Sequence, residues 1–213
     1  MKTILAVVSL VGLASTNSLT PKASTERRQF LQTTATFLGT VVAPSLPARA
    51  ADVGGGIVYG KDNIMRQKAH GTSDSPVQSD LLYGVSNKLA DQISNYNRQF
   101  AERAGYFQFT SFEDSILKAS ATETPITFYD SVTGKPLFVA PLGRSADEFL
   151  QESRIHGWPS FRDEEVVWDN VRVLKPSGET VSLTGTHLGH NLPDRKGNRY
   201  CINLVSIAGQ PSQ

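Results

Sequence analysis

Gly185-Thr-His-Leu-Gly-His-Asn-Leu-Pro-Asp-Arg-Lys-Gly-Asn-Arg-Tyr-Cys-Ile-Asn203 carries the single cysteine of this 213-residue chain, Cys201, downstream of His187, His190, Asp194 and Arg199. A nucleophile, two imidazoles, a carboxylate and a guanidinium thus share one short run. Sulfur is a useful nucleophile only as thiolate, and Arg199 or a protonated His190 is expected to lower the Cys201 pKa from its free value of about 8.5. An isolated cysteine in so apolar a stretch as 200–207 would read instead as a small buried hydrophobe. The titratable neighbours make the reactive thiol the first hypothesis.

Two further motifs stand upstream in the same chain, Gly157-Trp158-Pro159-Ser160-Phe161 and Gly134-Lys135-Pro136-Leu137-Phe138. Together with the His-Leu-Gly-His and Arg-Tyr-Cys-Ile-Asn runs they resemble, in the same order, the signatures of methionine-R-sulfoxide reductases of the B type (MsrB). The resemblance implies a mainly β (α+β) fold of antiparallel sheets with N-terminal helices. It also implies reduction of methionine-R-sulfoxide in proteins. On that reading Cys201 attacks the sulfoxide sulfur, His190 protonates the oxygen and Asp194 orients His190. Arg199 and Asn203 hold charged groups, while Trp158, Phe161 and His187 contact substrate, Trp158 as an apolar wall for the methyl group. The product on Cys201 is a sulfenic acid.

The chain departs from the family pattern at three places. Where many relatives carry two Cys-x-x-Cys pairs for zinc, this sequence has Asp130 with Thr133 and Val181 with Thr184. Zinc is therefore not expected there, and hydrogen bonds must hold those corners. His156 stands where many relatives have a recycling cysteine, so an oxidised Cys201 needs an external thiol: thioredoxin, glutaredoxin or a small thiol. The stretch between Asp194 and Arg199 is also about three residues shorter than the family resemblance leads one to expect. No cofactor is expected beyond that reductant.

The first residues, Met1-Lys-Thr followed by an apolar run to Leu13, read as a signal peptide over 1–20. Residues 21–51 contain Arg27-Arg28 before an apolar segment and end in Ala48-Arg49-Ala50, the pattern of a twin-arginine export signal with its cleavage site. Two sorting modules in series resemble the leader of a thylakoid-lumen protein in an alga with a complex plastid. The lumen is the expected location and the plastid stroma the alternative.

Beyond the leader, residues 52–78 read as a flexible arm and 79–122 as a helical N-terminal extension. Residues 123–209 form the catalytic domain implied by the resemblance. Leu82, Val85, Leu89, Ile93, Tyr96 and Phe100 recur at helical spacing and predict an amphipathic helix from Ser79 to Gly105. Capping-box patterns predict helices starting at Thr110 and at Ser145. Strands are expected at 126–129, 137–140, 166–168, 171–174, 180–183 and 200–208, with a hairpin through Lys175-Pro176-Ser177-Gly178-Glu179. The formal net charge of +1 gives no reason to expect nucleic acid as a partner, and no apolar run beyond the leader is long enough for a membrane span. The expected partners are oxidised methionine in proteins and a thiol reductant, with a photosynthetic complex as a further possibility.

Two other classes of function compete. One is a non-catalytic binding or assembly protein of the plastid that keeps the fold; the other is a metal-binding protein using His156, His187, His190 and Cys201. The joint presence of Cys201, His190, Asp194, Arg199 and Asn203 favours the enzyme, because a scaffold has no use for that set.

Overall fold

Short β-branched and aromatic runs separated by Gly, Pro and Asp turns fold as strands in the computed structural model, which describes residues 53–212. The expected leader modules at 1–20 and 21–51 lie outside the described residues. In chain order the elements are β1 (Tyr59–Gly60), α1 (Asn87–Asp91), α2 (Phe112–Ser120), β2 (Ile126–Tyr129), β3 (Pro136–Ala140), α3 (Ala146–His156), β4 (Ser160–Phe161), β5 (Val171–Leu174), β6 (Glu179–Ser182), β7 (His187–Asn191) and β8 (Tyr200–Ile202). A six-stranded sheet runs β1-β5-β6-β7-β8-β4, and β2 pairs with β3 in a separate hairpin. Every pairing is antiparallel except β1 with β5. The mainly β fold with antiparallel sheets and a few helices is the one expected. Among the described residues no helix is long and apolar enough to cross a membrane.

The core is aromatic. Phe107, Phe112, Phe128, Phe138, Phe149 and Phe161 are fully buried in one cluster, and Phe138 stacks on Phe161 with ring centroids 4.3 Å apart. Phe107 and Phe112 come from the helical region and Phe128 and Phe138 from the hairpin. Residues 79–122 are therefore woven into the core and do not form an appendage to it. The segment 53–78, read as a flexible arm, is likewise tied down. Tyr59 and Gly60 add a strand beside β5, and the Thr72 hydroxyl donates to the Gly185 carbonyl at 2.6 Å.

The long helix expected over 79–105 is broken at both ends. Tyr83 and Gly84 have φ of 62° and 69°, a left-handed conformation that a right-handed helix cannot run through. The helix starts after them, where the Ser86 side chain accepts from the Leu89 N–H, and continues as a π-helical turn over Gln92–Tyr96. Phe100 lies past its end and is exposed. The helix predicted from Thr110 begins at Phe112 instead. Its expected capping partner Glu113 pairs with Arg154 (2.6 Å). The Ser145/Glu148 capping box forms as expected, and Gly157, at φ 86°, ends α3. Val166 and Val167 make isolated bridges and Trp168 lies in a turn, so 166–168 is not a strand. The last strand stops at Ile202, because the buried Glu102 carboxylate accepts the Leu204 and Val205 N–H groups and turns the chain into a 3-10 helix. The 175–179 hairpin joins β5 to β6 as predicted.

The corner between residues 130–133 and 184–186 is closed by one carboxylate. Asp130, fully buried, accepts from Thr133 Oγ1 (2.8 Å), Thr184 Oγ1 (3.1 Å), Thr186 Oγ1 (2.8 Å) and the Val132 N–H (3.0 Å). Val181 takes no part and packs with Met65 and Leu174. Asp130→Ala would leave three hydroxyls and an amide without their acceptor, and is expected to destabilise the protein by about 3 kcal/mol. Denaturant unfolding followed by circular dichroism checks this; a loss of less than about 0.5 kcal/mol would refute the keystone role of Asp130.

Candidate active site

Directly opposed residues of an antiparallel ladder project their side chains to one face with Cβ atoms about 5 Å apart. In this sheet Ser160 opposes Cys201, Cys201 opposes His190, and His190 opposes Glu179. Ser160, Cys201, His190 and Glu179 therefore form a row across four strands. The Ser160 hydroxyl is 3.9 Å from the sulfur. The close approach of β7 to β8 depends on Gly189, where an added Cβ would sit 2.1 Å from the Cys201 carbonyl oxygen.

His187 and His190, three residues apart, would face opposite sides of a regular strand. A register shift between Thr180 and Val181 disturbs the ladder here, and the two rings meet edge to face with centroids 5.5 Å apart. His187 is almost fully buried, and its Nδ1 lies 2.9 Å from Glu179 Oε1. Arg98 grips the same carboxylate through Nε and Nη2. Burial works to raise the Glu179 pKa, but the hydrogen bonds from His187 and Arg98 prevail and lower it. Burial, reinforced by His187, pushes the His190 pKa below its ordinary value, so His190 is held as a neutral ring more readily than a free histidine.

On the other side of the sulfur an alternating chain of charges leads inward. Arg199 directs Nη1 at Cys201 Sγ and Nε at Asp194 (3.2 Å). Asp194 also accepts from Arg162 at 2.9 and 3.1 Å, Arg162 binds Glu152, and Glu152 binds Arg144. Arg144 ends on the fully buried Glu165. The Arg162 hydrogen bonds, aided by Arg199, hold the Asp194 carboxyl far below the usual range. At Cys201 burial is the largest influence and raises the thiol pKa, with Arg199 and Ser160 pulling the other way. The net direction is the reverse of that expected from the sequence, because the sulfur sits deeper than its charged neighbours suggest.

The structure thus brings Cys201, His190 and Arg199 together and gives other predicted residues different places. Asp194 serves Arg162 and Arg199, and the carboxylate that reaches the histidine pair is Glu179. Asn203 holds backbone: its Oδ1 accepts the Glu102 N–H and its Nδ2 donates to the Leu188 carbonyl. Phe161 is core and does not reach solvent, and buried His187 acts on His190 rather than on anything outside. Trp158 is half-buried; its Nε1 donates to the Glu102 carbonyl at 3.1 Å, and its own carbonyl accepts from Ser160 Oγ. Glu179, Arg98, Arg162 and Glu152 were missed, since nothing in their local sequence marks them.

A cleft of about 740 Å³ adjoins the site, lined by His156, Arg162, Asp194, Arg195 and Lys196 among others. Glu152, His156 and Asp194 place ligand atoms within 4.8 Å of one another. Their carboxylates already bind arginines, so a cation there would compete with guanidinium groups in place. Among the described residues the set His156, His187, His190 and Cys201 does not gather at metal-ligand distances.

Two curated proteins, each named peptide methionine sulfoxide reductase MsrB, are similar to this chain. The one from Leifsonia xyli subsp. xyli is 29% identical over 118 residues, 49% of this chain and 84% of the relative. The one from Methanosarcina mazei is 40% identical over 60 residues, 24% of this chain and 43% of the relative. No family model matches the chain. No solved structure matches it.

Two outcomes test the geometry of the row. Arg199→Met removes the one cation on the sulfur and is expected to move Cys201 titration further up, slowing iodoacetamide alkylation at pH 8 by about tenfold, or about one pKa unit; an unchanged rate–pH curve would show that burial alone sets the thiol. Gly189→Ala forces β7 from β8 and is expected to cost about 3 kcal/mol or more of stability, read from thermal or denaturant melts. Little change in either would mean the strand contact is looser than drawn.

Proposed function

We propose that the chain belongs with the MsrB-type reductases and reduces methionine-R-sulfoxide in proteins to methionine. The observation that carries this is the placement of His190 directly across the ladder from Cys201, with the Arg199 guanidinium on the sulfur. Cys201 gives its thiol proton to neutral His190 and Sγ attacks the sulfoxide sulfur; the imidazolium so formed passes the proton to the sulfoxide oxygen, the S–O bond breaks and the oxygen ends on Cys201. The sulfoxide sulfur gains two electrons and leaves as a thioether; the Cys201 sulfur loses two and becomes a sulfenic acid. Arg199 stabilises the thiolate against the opposing effect of burial, and Asp194 holds Arg199. Trp158 offers the methyl group an aromatic wall.

The sequence contains no second cysteine, so recycling falls to an outside thiol such as thioredoxin, glutaredoxin or a small thiol. The first equivalent condenses with the sulfenic acid and expels water, and the second releases Cys201 as thiol and leaves as disulfide. The Asp130 corner supports a zinc-independent form of the fold. The doubled leader supports import into a plastid and delivery to the thylakoid lumen, with the mature enzyme beginning near Ala51 or Asp52.

With dithiothreitol as reductant, the protein is expected to reduce the R epimer of dabsyl-methionine sulfoxide and spare the S epimer. Cys201→Ser should abolish turnover, and His190→Ala should lower kcat/KM by about 10²–10³, the range of general acid catalysis. Absence of R-specific turnover by the native chain would refute the enzymatic reading and leave the binding-protein alternative.

A further inference from the structure

Glu102 is a buried carboxylate for which the proposed chemistry has no use. It is 2% exposed, and among the described residues no cation pairs with it. Burial drives its pKa up to about 7 against two backbone hydrogen bonds that lower it. A carboxylate in such a place is costly unless its bonds do something a neutral side chain could not. Its oxygens accept the N–H groups of Leu204 (2.8 Å) and Val205 (3.1 Å), just beyond the Cys201 strand. Its own N–H donates to Asn203 Oδ1 at 3.0 Å. Its carbonyl accepts from Trp158 Nε1 at 3.1 Å. One residue therefore ties positions 203, 204 and 205, in the chain after Cys201, to the Trp158 indole, two residues before the Ser160 that opposes Cys201. Three residues on, the Gly105 N–H donates to the Gly157 carbonyl at 2.7 Å and fastens the same two segments again.

We infer that Glu102 is a positioning residue, clamping the 102–105 segment onto the chain after Cys201 and so fixing where the Trp158 ring stands relative to the sulfur. The inference rests on the reductase reading for its effect on turnover, but the clamp itself is a property of the fold. Side-chain amide replacement is the sharpest probe. Glu102→Gln keeps the size but presents an NH2 group to a backbone N–H, so one of the two bonds is lost.

In full-length protein assayed on the R-sulfoxide, Glu102→Gln is expected to raise KM about tenfold with kcat changed less than threefold. Trp158→Phe should raise KM by a similar factor, and the double variant should be no worse than either single one, because both act through the same ring. Arg103→Ala, an exposed neighbour, should leave both constants unchanged. In ¹⁵N correlation spectra the Trp158 indole signal, identified by its loss in Trp158→Phe, should shift in Glu102→Gln and stay in place in Arg103→Ala. In the native chain, hydrogen exchange of that indole should match that of the Leu204 and Val205 amides within about tenfold, as expected for one cooperative opening. Multiplying KM effects, an unmoved indole signal, or an indole exchanging more than a hundredfold faster than those amides would each overturn the inference. The exchange measurement is made on the native chain, needs Trp158→Phe only to assign the indole signal, and decides the matter even where Glu102→Gln does not fold. If the native chain proves inactive on the R-sulfoxide, the reductase reading fails while the spectra still judge the clamp.

Discussion

The pairing of β7 with β8 is the constraint on which the site depends. It places His190 opposite Cys201, and it is close because position 189 has no side chain to hold the strands apart. Cross-strand neighbours need no loop ordering to meet: once the ladder forms, imidazole and sulfur are on the same face at a distance set by backbone geometry. The aromatic core behind the sheet and the three-sided tethering of Asn203 hold that ladder in place. Position on rigid strands, rather than on a mobile loop, makes the arrangement a property of the fold itself.

Around this pair the two halves of the site differ in character. The His187 and His190 side is buried, fed by one carboxylate that Arg98 also grips, and it favours uncharged imidazole at His190. The Arg199 side is an ionic ladder whose inner rung, Arg144 with Glu165, lies deep in the protein. Breaking one member of a buried pair costs about 3–5 kcal/mol, whereas an exposed pair contributes about 0–1. The inner rungs therefore fix the direction of the outer one. The guanidinium that touches sulfur is aimed from within, and the rigidity of that aim matters as much as its charge. The thiol is raised by burial and pulled back by Arg199 and Ser160, so its reactivity depends on both.

Much of this was legible in the sequence where the signal was local. The capping box at Ser145 and Glu148, the 175–179 hairpin and the strands at 126–129 and 171–174 rest on residues close in the chain, and they formed as read. The cluster of Cys201 with His190 and Arg199 was legible because all three lie within one short run. What could not be read was set by distant residues. Tyr83 adopts a left-handed conformation that its sequence neighbours do not announce, so the apolar repeat through Phe100 overstated the helix. The strand 187–191 was not among those expected, because its Gly and Asn residues have poor strand propensity; pairing with β6 and β8 makes it one. Asp194 was assigned to His190 on the family resemblance, but Arg162, thirty-two residues away, claims its carboxylate. Phe161 was read with Trp158 as a substrate contact, yet strand alternation turns it away from the face that Ser160 shares with Cys201, and Phe161 lies in the core.

The corner at Asp130 also bears on how the molecule tolerates oxidants. Four donors converge there on a carboxylate, and none of the atoms involved is sulfur. Peroxide or hypochlorous acid meeting these atoms finds hydroxyls, an amide and a carboxylate, and no thiolate to oxidise. Cys201 being the single cysteine of the sequence, oxidation of cysteine falls on the sulfur opposite His190, and its sulfenic stage is the reversible one.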